Sequence, residues 1–349
     1  MLSRVAESIY WMCRYIERAE NVARIVNVNW NLTLDASSSE PQWQPLISIM
    51  GDEEYFAEHY ESATQDNVMR FLACDRNYPN SIYNCLRNAR ENARSIREII
   101  PSDVWEQVNK FYQEVENVTQ SGAIMESPHE FLGMVVRGSN EFIGRSYTTM
   151  MHDEGWHFSR VARMLERSDK TSRILDVKYF YLLPSVEDVG SSLDNIQWSA
   201  LLRSASALQA YRQIYGPIDP QNVVELLLLG YGFPRSVKYC VDRLQTSIAF
   251  VSGSPPGLYT NDAERSCDRL RSQLNCARVE DIIQSGLHEF VDSLQVQLNE
   301  IGCAIQRQFF DRREVETPEV TAAVPELDIE YPGGKAAASD RHAVTTQMQ

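Results

Sequence analysis

A chain of 349 residues with 43% hydrophobic and 23% charged residues can bury a substantial core and is too apolar for wholesale disorder. Its formal net charge of −15 speaks against a nucleic-acid partner, because neutralising phosphates requires a lysine and arginine surplus. Seven cysteines, an odd number with no Cys-x-x-Cys pair, suggest neither a disulfide framework nor structural zinc.

The first element is an amphipathic helix. At about 100° per residue, Tyr15, Ile16, Ala19, Val22, Ala23 and Val26 fall within one arc of roughly 120°, while Arg14, Glu17, Arg18, Asn21 and Arg24 share the opposite arc. Arg4, Glu7, Arg14, Glu17 and Arg18 break any leader-like apolar stretch here. Further on, Pro79 is expected in the first turn of a new helix, where its missing N–H costs nothing. That helix carries Arg87, Arg90, Arg94 and Arg97, whose spacing of three, four and three predicts four guanidiniums on one face. Ser127, Pro128 and Glu130 give a helix start, with serine as N-cap, and the helix is expected to run to about Met151. Gly155 then marks a break before a second Glu-Arg helix bearing Arg163, Glu166, Arg167, Lys170 and Arg173. Pro234 repeats the role of Pro79. From Glu316 onward, three prolines, Gly333-Gly334 and the loss of apolar periodicity predict a disordered acidic tail over 316–349.

These elements recur. Residues 14–28 read RYIERAENVARIVNV and residues 163–177 read RMLERSDKTSRILDV, an offset of 149. Gln42-Trp43 with Leu46 answers Gln197-Trp198 with Leu201, and 78–85 answers 233–240, both at 155. His129-Glu130-Phe131 with Asn140-Glu141 answers His288-Glu289-Phe290 with Asn299-Glu300 at 159. Four blocks in one order with a slowly growing offset predict a tandem duplication of a helical-bundle unit, all-α and pseudo-twofold, with repeats at 1–151 and 152–315. Strand-like alternation is nearly missing. No apolar run approaches the roughly eighteen residues that cross a bilayer, so the expectation is a cytoplasmic protein with free thiols and no membrane partner.

The Glu-Arg ridges carry the most information. Each sets arginines three or four residues from a central glutamate, which reads either as a solvated face of weak ion pairs or as an interface network. Retention of the charges while Val22 drifts to Thr171 and Ala23 to Ser172 favours the network. The second ridge, Arg87, Arg90, Arg94 and Arg97, is flanked by Glu91 and Glu98, consistent with ordinary pairing along an exposed helix. Its functional reading is recognition of an anion or a partner. It is unmatched in the second repeat, where Asp242, Gln245, Ala249 and Ser252 stand. Glu154 and His157 form one Glu-x-x-His, the fragment of a di-iron bundle, without the second such fragment that site needs. His129 and His288 read as capping or packing residues. No catalytic residue, metal ligand or cofactor is assigned, since no phosphate loop, nucleophile elbow or Cys-His signature is present.

Taken together, the opening MLSRVAESIYWMCRYIERAENVARI, RENAR at 90–94 with Trp105-Glu106 beyond it, GWHFSRVARMLERSDKTSRILD and FPRSV at 233–237 resemble the bacterial alpha-E domain family across about residues 1–312. The resemblance makes Glu17, Arg18, Glu166 and Arg167 the motif residues. It implies company with ATP-grasp-type peptide ligases and transglutaminase-like peptidases, and hence a helical partner or scaffold of a peptide-modifying system. The alternatives are an enzyme acting on an amide or peptide with Glu17 or Glu166 as acid or base, and a carboxylate-bridged metal bundle. A glutamate facing an open pocket would favour the enzyme; one clamped by arginines would not, because clamping lowers its pKa.

Overall fold

The computed structural model describes residues 1–35, 43–181, 192–255 and 258–311; among these no strand occurs. Helix α1 (Ser3–Asp35) is followed by α2 (Gln44–Met50), α3 (Glu53–His59) and α4 (Gln65–Met69), the last running into a π-helical turn over Arg70–Cys74. Then come α5 (Ile82–Ser95), α6 (Ser102–Ser121), the single turn α7 (Ala123–Glu126) and α8 (Pro128–Thr149). The second half runs through α9 (Glu154–Tyr181), α10 (Ser192–Ser204), α11 (Leu208–Ile214) and α12 (Pro220–Val224), with a π turn over Glu225–Leu229. It closes with α13 (Val237–Ser252), α14 (Asp262–Cys276), α15 (Val279–Ser285), α16 (Leu287–Ile305) and a third π turn, Gln306–Phe310. The tail segment 316–349 lies outside the described residues, as does Gln42.

The two long helices sit at the centre. α1 packs on α5, α8 and α9, and α9 on α1, α13 and α16; α2 lies on α9, and α10 on α1. The apolar arc of α1 is buried as expected, with Ile16, Ala19, Val22, Ala23 and Val26 all nearly inaccessible. So are Glu17, Glu20 and Asn21 on its other side. With Glu17 and Glu20 as deeply buried as the apolar arc, the Glu-Arg ridge is not a solvated face.

Local starts and stops differ from the sequence expectations in four places. Pro79 and Pro234 sit in turns two residues ahead of the N-caps Ser81 and Ser236, rather than in the first helical turn. Each of those serines accepts the N–H three residues on, from Asn84 at 3.2 Å and Tyr239 at 3.1 Å, satisfying an orphan donor of the new helix. Ser127 occupies the N-cap position of α8, but its side chain makes no capping bond. α8 ends at Thr149, and the break before α9 falls between the two helices, with Gly155 inside the first turn of α9. A Cβ on Gly155 would lie 3.0 Å from Met1 Cε and 3.3 Å from Ile9 Cδ1, so the N-terminal segment packs where a side chain would stand.

Candidate functional site

The ridges of α1 and α9 face one another and exchange partners. Glu166 of α9 is fully buried and receives two arginines from α1. Arg14 donates through Nε and Nη2 to Oε2 at 2.8 and 2.7 Å, and Arg18 donates through Nε to Oε1 at 2.8 Å and Nη2 to Oε2 at 3.1 Å. Arg18 is braced by Asn80, whose Oδ1 accepts from Nη1 at 2.5 Å. In return Glu17 of α1 is gripped by Arg167 of α9, Nε to Oε1 at 2.7 Å and Nη2 to Oε2 at 2.8 Å, a bidentate fork. The arrangement is a reciprocal lock between the two helices.

A third glutamate extends it. Glu20, fully buried, accepts from Arg24 Nε at 2.7 Å, from Ser139 Oγ of α8 at 2.8 Å and from Arg235 in the turn before α13. Arg235 also donates to Asn21 Oδ1 at 3.0 Å and lies 3.6 Å from Glu17 Oε1. Arg24 reaches Ser206 Oγ at 2.7 Å; Ser206 is the one non-glycine at positive φ among the described residues. Asp169 takes Arg173 Nε at 3.0 Å, with Lys170 Nζ 3.4 Å away. Arg163, the remaining motif arginine, is buried and donates to the Ser159 carbonyl at 3.4 Å.

These contacts decide the ionisation of the carboxyls. Burial pushes Glu166 up, but Arg18 and Arg14 outweigh it and hold the group far below the usual carboxylate range. Burial likewise raises Glu17 and Arg167 overrides it, leaving a net lowering. Carboxylates so held stay ionised at neutral pH, and neither can serve as a general acid.

The arginine ridge on α5 is not one face. The helix stops at Ser95, so Arg97 lies beyond its end, paired with Glu98 at 3.2 Å. Arg90 is half-buried, donating to Asn109 Oδ1 of α6 at 2.7 Å with its guanidinium 5.2 Å from the Tyr112 ring centroid. Arg87 and Arg94 are exposed, Arg94 pairing with Glu91 at 2.7 Å. Glu154 meets the N-terminal amine at 2.5 Å, whereas His157 stacks on Phe250 at 3.8 Å, so the two do not converge. Among the described residues no group of three His, Cys, Asp or Glu is placed to hold a metal. His129 bonds Asn27 Oδ1 and His288 bonds Asp176 Oδ1, each at 2.8 Å, tying α8 to α1 and α16 to α9. Sequence reasoning placed Asn21 on the charged arc but gave no role to Glu20, Asn80, Ser139 or Arg235; Glu20, Asn80 and Arg235 lie in the recurring blocks 14–28, 78–85 and 233–240, and Ser139 lies in none.

The sequence profile of the Alpha-E family, described as a predicted alpha-helical domain with a conserved ER motif, matches residues 1–310. An uncharacterised protein of Mycobacterium bovis and two of Mycobacterium tuberculosis are each 22% identical to the chain over 340 residues, covering 90% of it and 36% of the relative. The chain thus spans about a third of the length of these relatives. No solved structure matches it. No helix among the described residues is long and apolar enough to cross a membrane. With helices throughout the described residues and Glu17-Arg18 and Glu166-Arg167 locked at their centre, the chain belongs to the Alpha-E family.

Proposed function

We propose that the protein is a non-catalytic helical partner or scaffold for a peptide-ligating or peptide-modifying system, in the company of an ATP-grasp-type ligase and a transglutaminase-like peptidase. The observation that carries this reading is the use made of the Glu-Arg motif: both glutamates are enclosed and chelated by arginines of the opposite long helix. A motif consumed in joining two helices leaves no proton donor or nucleophile of its own. The mycobacterial relatives support the same view, since the matched stretch is 36% of those chains and is carried there beside other polypeptide. Exposed Arg87 and Arg94 on α5 and Arg97 just beyond its end supply a contact for the partner, with half-buried Arg90 fixing that helix. The test is capture of a purified ATP-grasp-type ligase from the same bacterium. Arg87→Glu with Arg94→Glu is expected to weaken binding about ten-fold at low salt and less at high salt, where exposed charges are screened. Failure to bind the ligase, or turnover of a peptide by the purified protein alone, would overturn the reading.

We also infer that the chain arose by duplication of one helical unit. In support, α11, α12 and the π turn at Glu225–Leu229 follow α3, α4 and the π turn at Arg70–Cys74 at a constant 155 residues. The cap residues Thr64 and Asp219, and Ser81 and Ser236, stand at the same spacing and accept the same backbone donor. Left-handed Gly51 and Ser206 also correspond: Arg24 bonds Ser206, and Arg173 Nη1 lies 3.0 Å from where a Cβ on Gly51 would be. Superposing 1–151 on 152–311 should bring Glu17 onto Glu166, and unlike helices at those positions would refute the inference.

A further inference from the structure

Between α1, α9 and α16 lies a cavity of about 360 Å³, inside the size class of small-molecule sites. Two kinds of group meet in its wall. Tyr10 and Trp11 give aromatic faces, and Arg14 and Asp169 bring opposite charges. Arg14 commits Nε and one Nη2 hydrogen to Glu166 and one Nη1 hydrogen to the Tyr10 hydroxyl, at 2.9 Å for the last. Among the described residues, one hydrogen on each terminal nitrogen therefore has no protein acceptor. The guanidinium stands 5.6 Å from both the Tyr10 and the Trp11 ring centroids, so cation and aromatics are fixed as a unit.

Asp169 is held ionised: burial raises its carboxyl, and Lys170 and Arg173 more than reverse that. Its two oxygens accept from a single Arg173 nitrogen, at 3.0 and 3.1 Å, with Lys170 at 3.4 Å, which leaves acceptor capacity for another donor. Gln306, in the same wall, opens the π turn Gln306–Phe310, and Phe310 packs on Tyr10 at 5.1 Å between ring centroids. π turns of this kind often mark functional positions. α8 ends without one, its last bond running from Met150 N–H to the Ser146 carbonyl at 3.2 Å.

The charges restrict what can enter. A lone anion would meet Asp169, and a lone cation would meet Arg14. A molecule carrying both charges a few ångströms apart satisfies both walls. We propose that this cavity binds a free α-amino acid with an apolar side chain, its carboxylate on the uncommitted N–H groups of Arg14, its ammonium on Asp169 and its side chain against Trp11. The inference stands on the cavity alone and needs no partner, so it can fail while ligase capture succeeds.

The test is calorimetric titration of the whole chain with L-phenylalanine and L-leucine, beside N-acetyl-L-phenylalanine and L-phenylalaninamide, which lack one charge each. The free amino acids are expected to bind, and loss of either charge to weaken binding by about ten-fold or more. Gly302 borders the cavity, and a Cβ there would make ordinary contacts, 3.5 Å to Leu165 Cδ2 and 3.9 Å to Arg14 Nη1. Gly302→Leu should therefore fill the space and abolish binding with the melting temperature kept. Cys303, an exposed thiol in the same wall, gives a readout in the unfilled protein. In a Cys276→Ser background, bound phenylalanine should slow its alkylation. No binding of either amino acid at millimolar concentration, equal binding of all four compounds, or unprotected Cys303 would each overturn the proposal.

Discussion

Replacing Glu166 by glutamine keeps the shape of the side chain and removes the charge on which four arginine N–H bonds converge. Arg14 and Arg18 are then left close together in a desolvated space. Breaking a buried pair by removing one partner costs about 3–5 kcal/mol, against about 0–1 kcal/mol for an exposed pair. With an unfolding entropy of about 2.1 cal/mol/K per residue, a body of about 300 residues loses roughly 5–8 °C in melting temperature from the first and under about 2 °C from the second. Glu98, 86% exposed beside Arg97, supplies the control. Thermal melts at pH 7 of Glu166→Gln and Glu98→Gln decide between the two magnitudes. The same pair gives a pH signature. The folded pKa of Glu166 is depressed, so its contribution is fully present above the ordinary glutamate value of about 4.3 and is lost as pH falls below it. The gap between wild type and Glu166→Gln should therefore close in acid. A Glu166→Gln melt no lower than that of Glu98→Gln would refute the reasoning.

Three further outcomes follow from the packing. Burial first, then Arg160 and His152, push the His157 pKa from 6.5 down to about 4. The unfolded chain then takes up a proton that the folded one refuses, so stability is full above pH 6.5 and erodes toward pH 4, and His157→Gln should flatten denaturant midpoints across that window. A Cβ on Gly138 would lie 2.6 Å from the fully buried Phe111 ring, so Gly138→Ala should cost about 1–3 kcal/mol in urea unfolding, and an unchanged midpoint would contradict the packing. Maleimide labelling of the native protein should modify Cys276 and Cys303 fast, and Cys13, Cys85 and Cys240 only after unfolding, because burial pushes those thiols up to about 11, 12 and 12.

Much of this was legible in the residues. The apolar phase of α1 and the recurrence of its charges marked the two helices that carry Glu17 and Glu166. The wheel could not say what stood opposite the apolar arc. The retained charges favoured an interface network without showing which helices supply its far side, which is why Glu20 and its partners Ser139 and Arg235 escaped notice. Arg235 follows its proline in FPRSV as Asn80 follows Pro79, and they reach the motif residues Glu17 and Arg18 respectively; that shared position was the signal available. The ridge at Arg87–Arg97 failed for a local reason. Its spacing assumes a helix through residue 97, but α5 closes at Ser95. The cavity beside Trp11 could not be read from the sequence even though the motif residue Arg14 lines it, because it is built by three helices far apart in the chain.

The central claim is that the Glu-Arg motif locks α1 to α9, and a double-mutant cycle on Arg167 and Glu17 measures that lock directly. Urea unfolding of wild type, Arg167→Leu, Glu17→Leu and the double variant yields the coupling between the two side chains. Each single change strips a buried charge of its bidentate partner, while the double change removes both, so a coupling of about 1–3 kcal/mol is predicted. A coupling within error of zero would contradict the account.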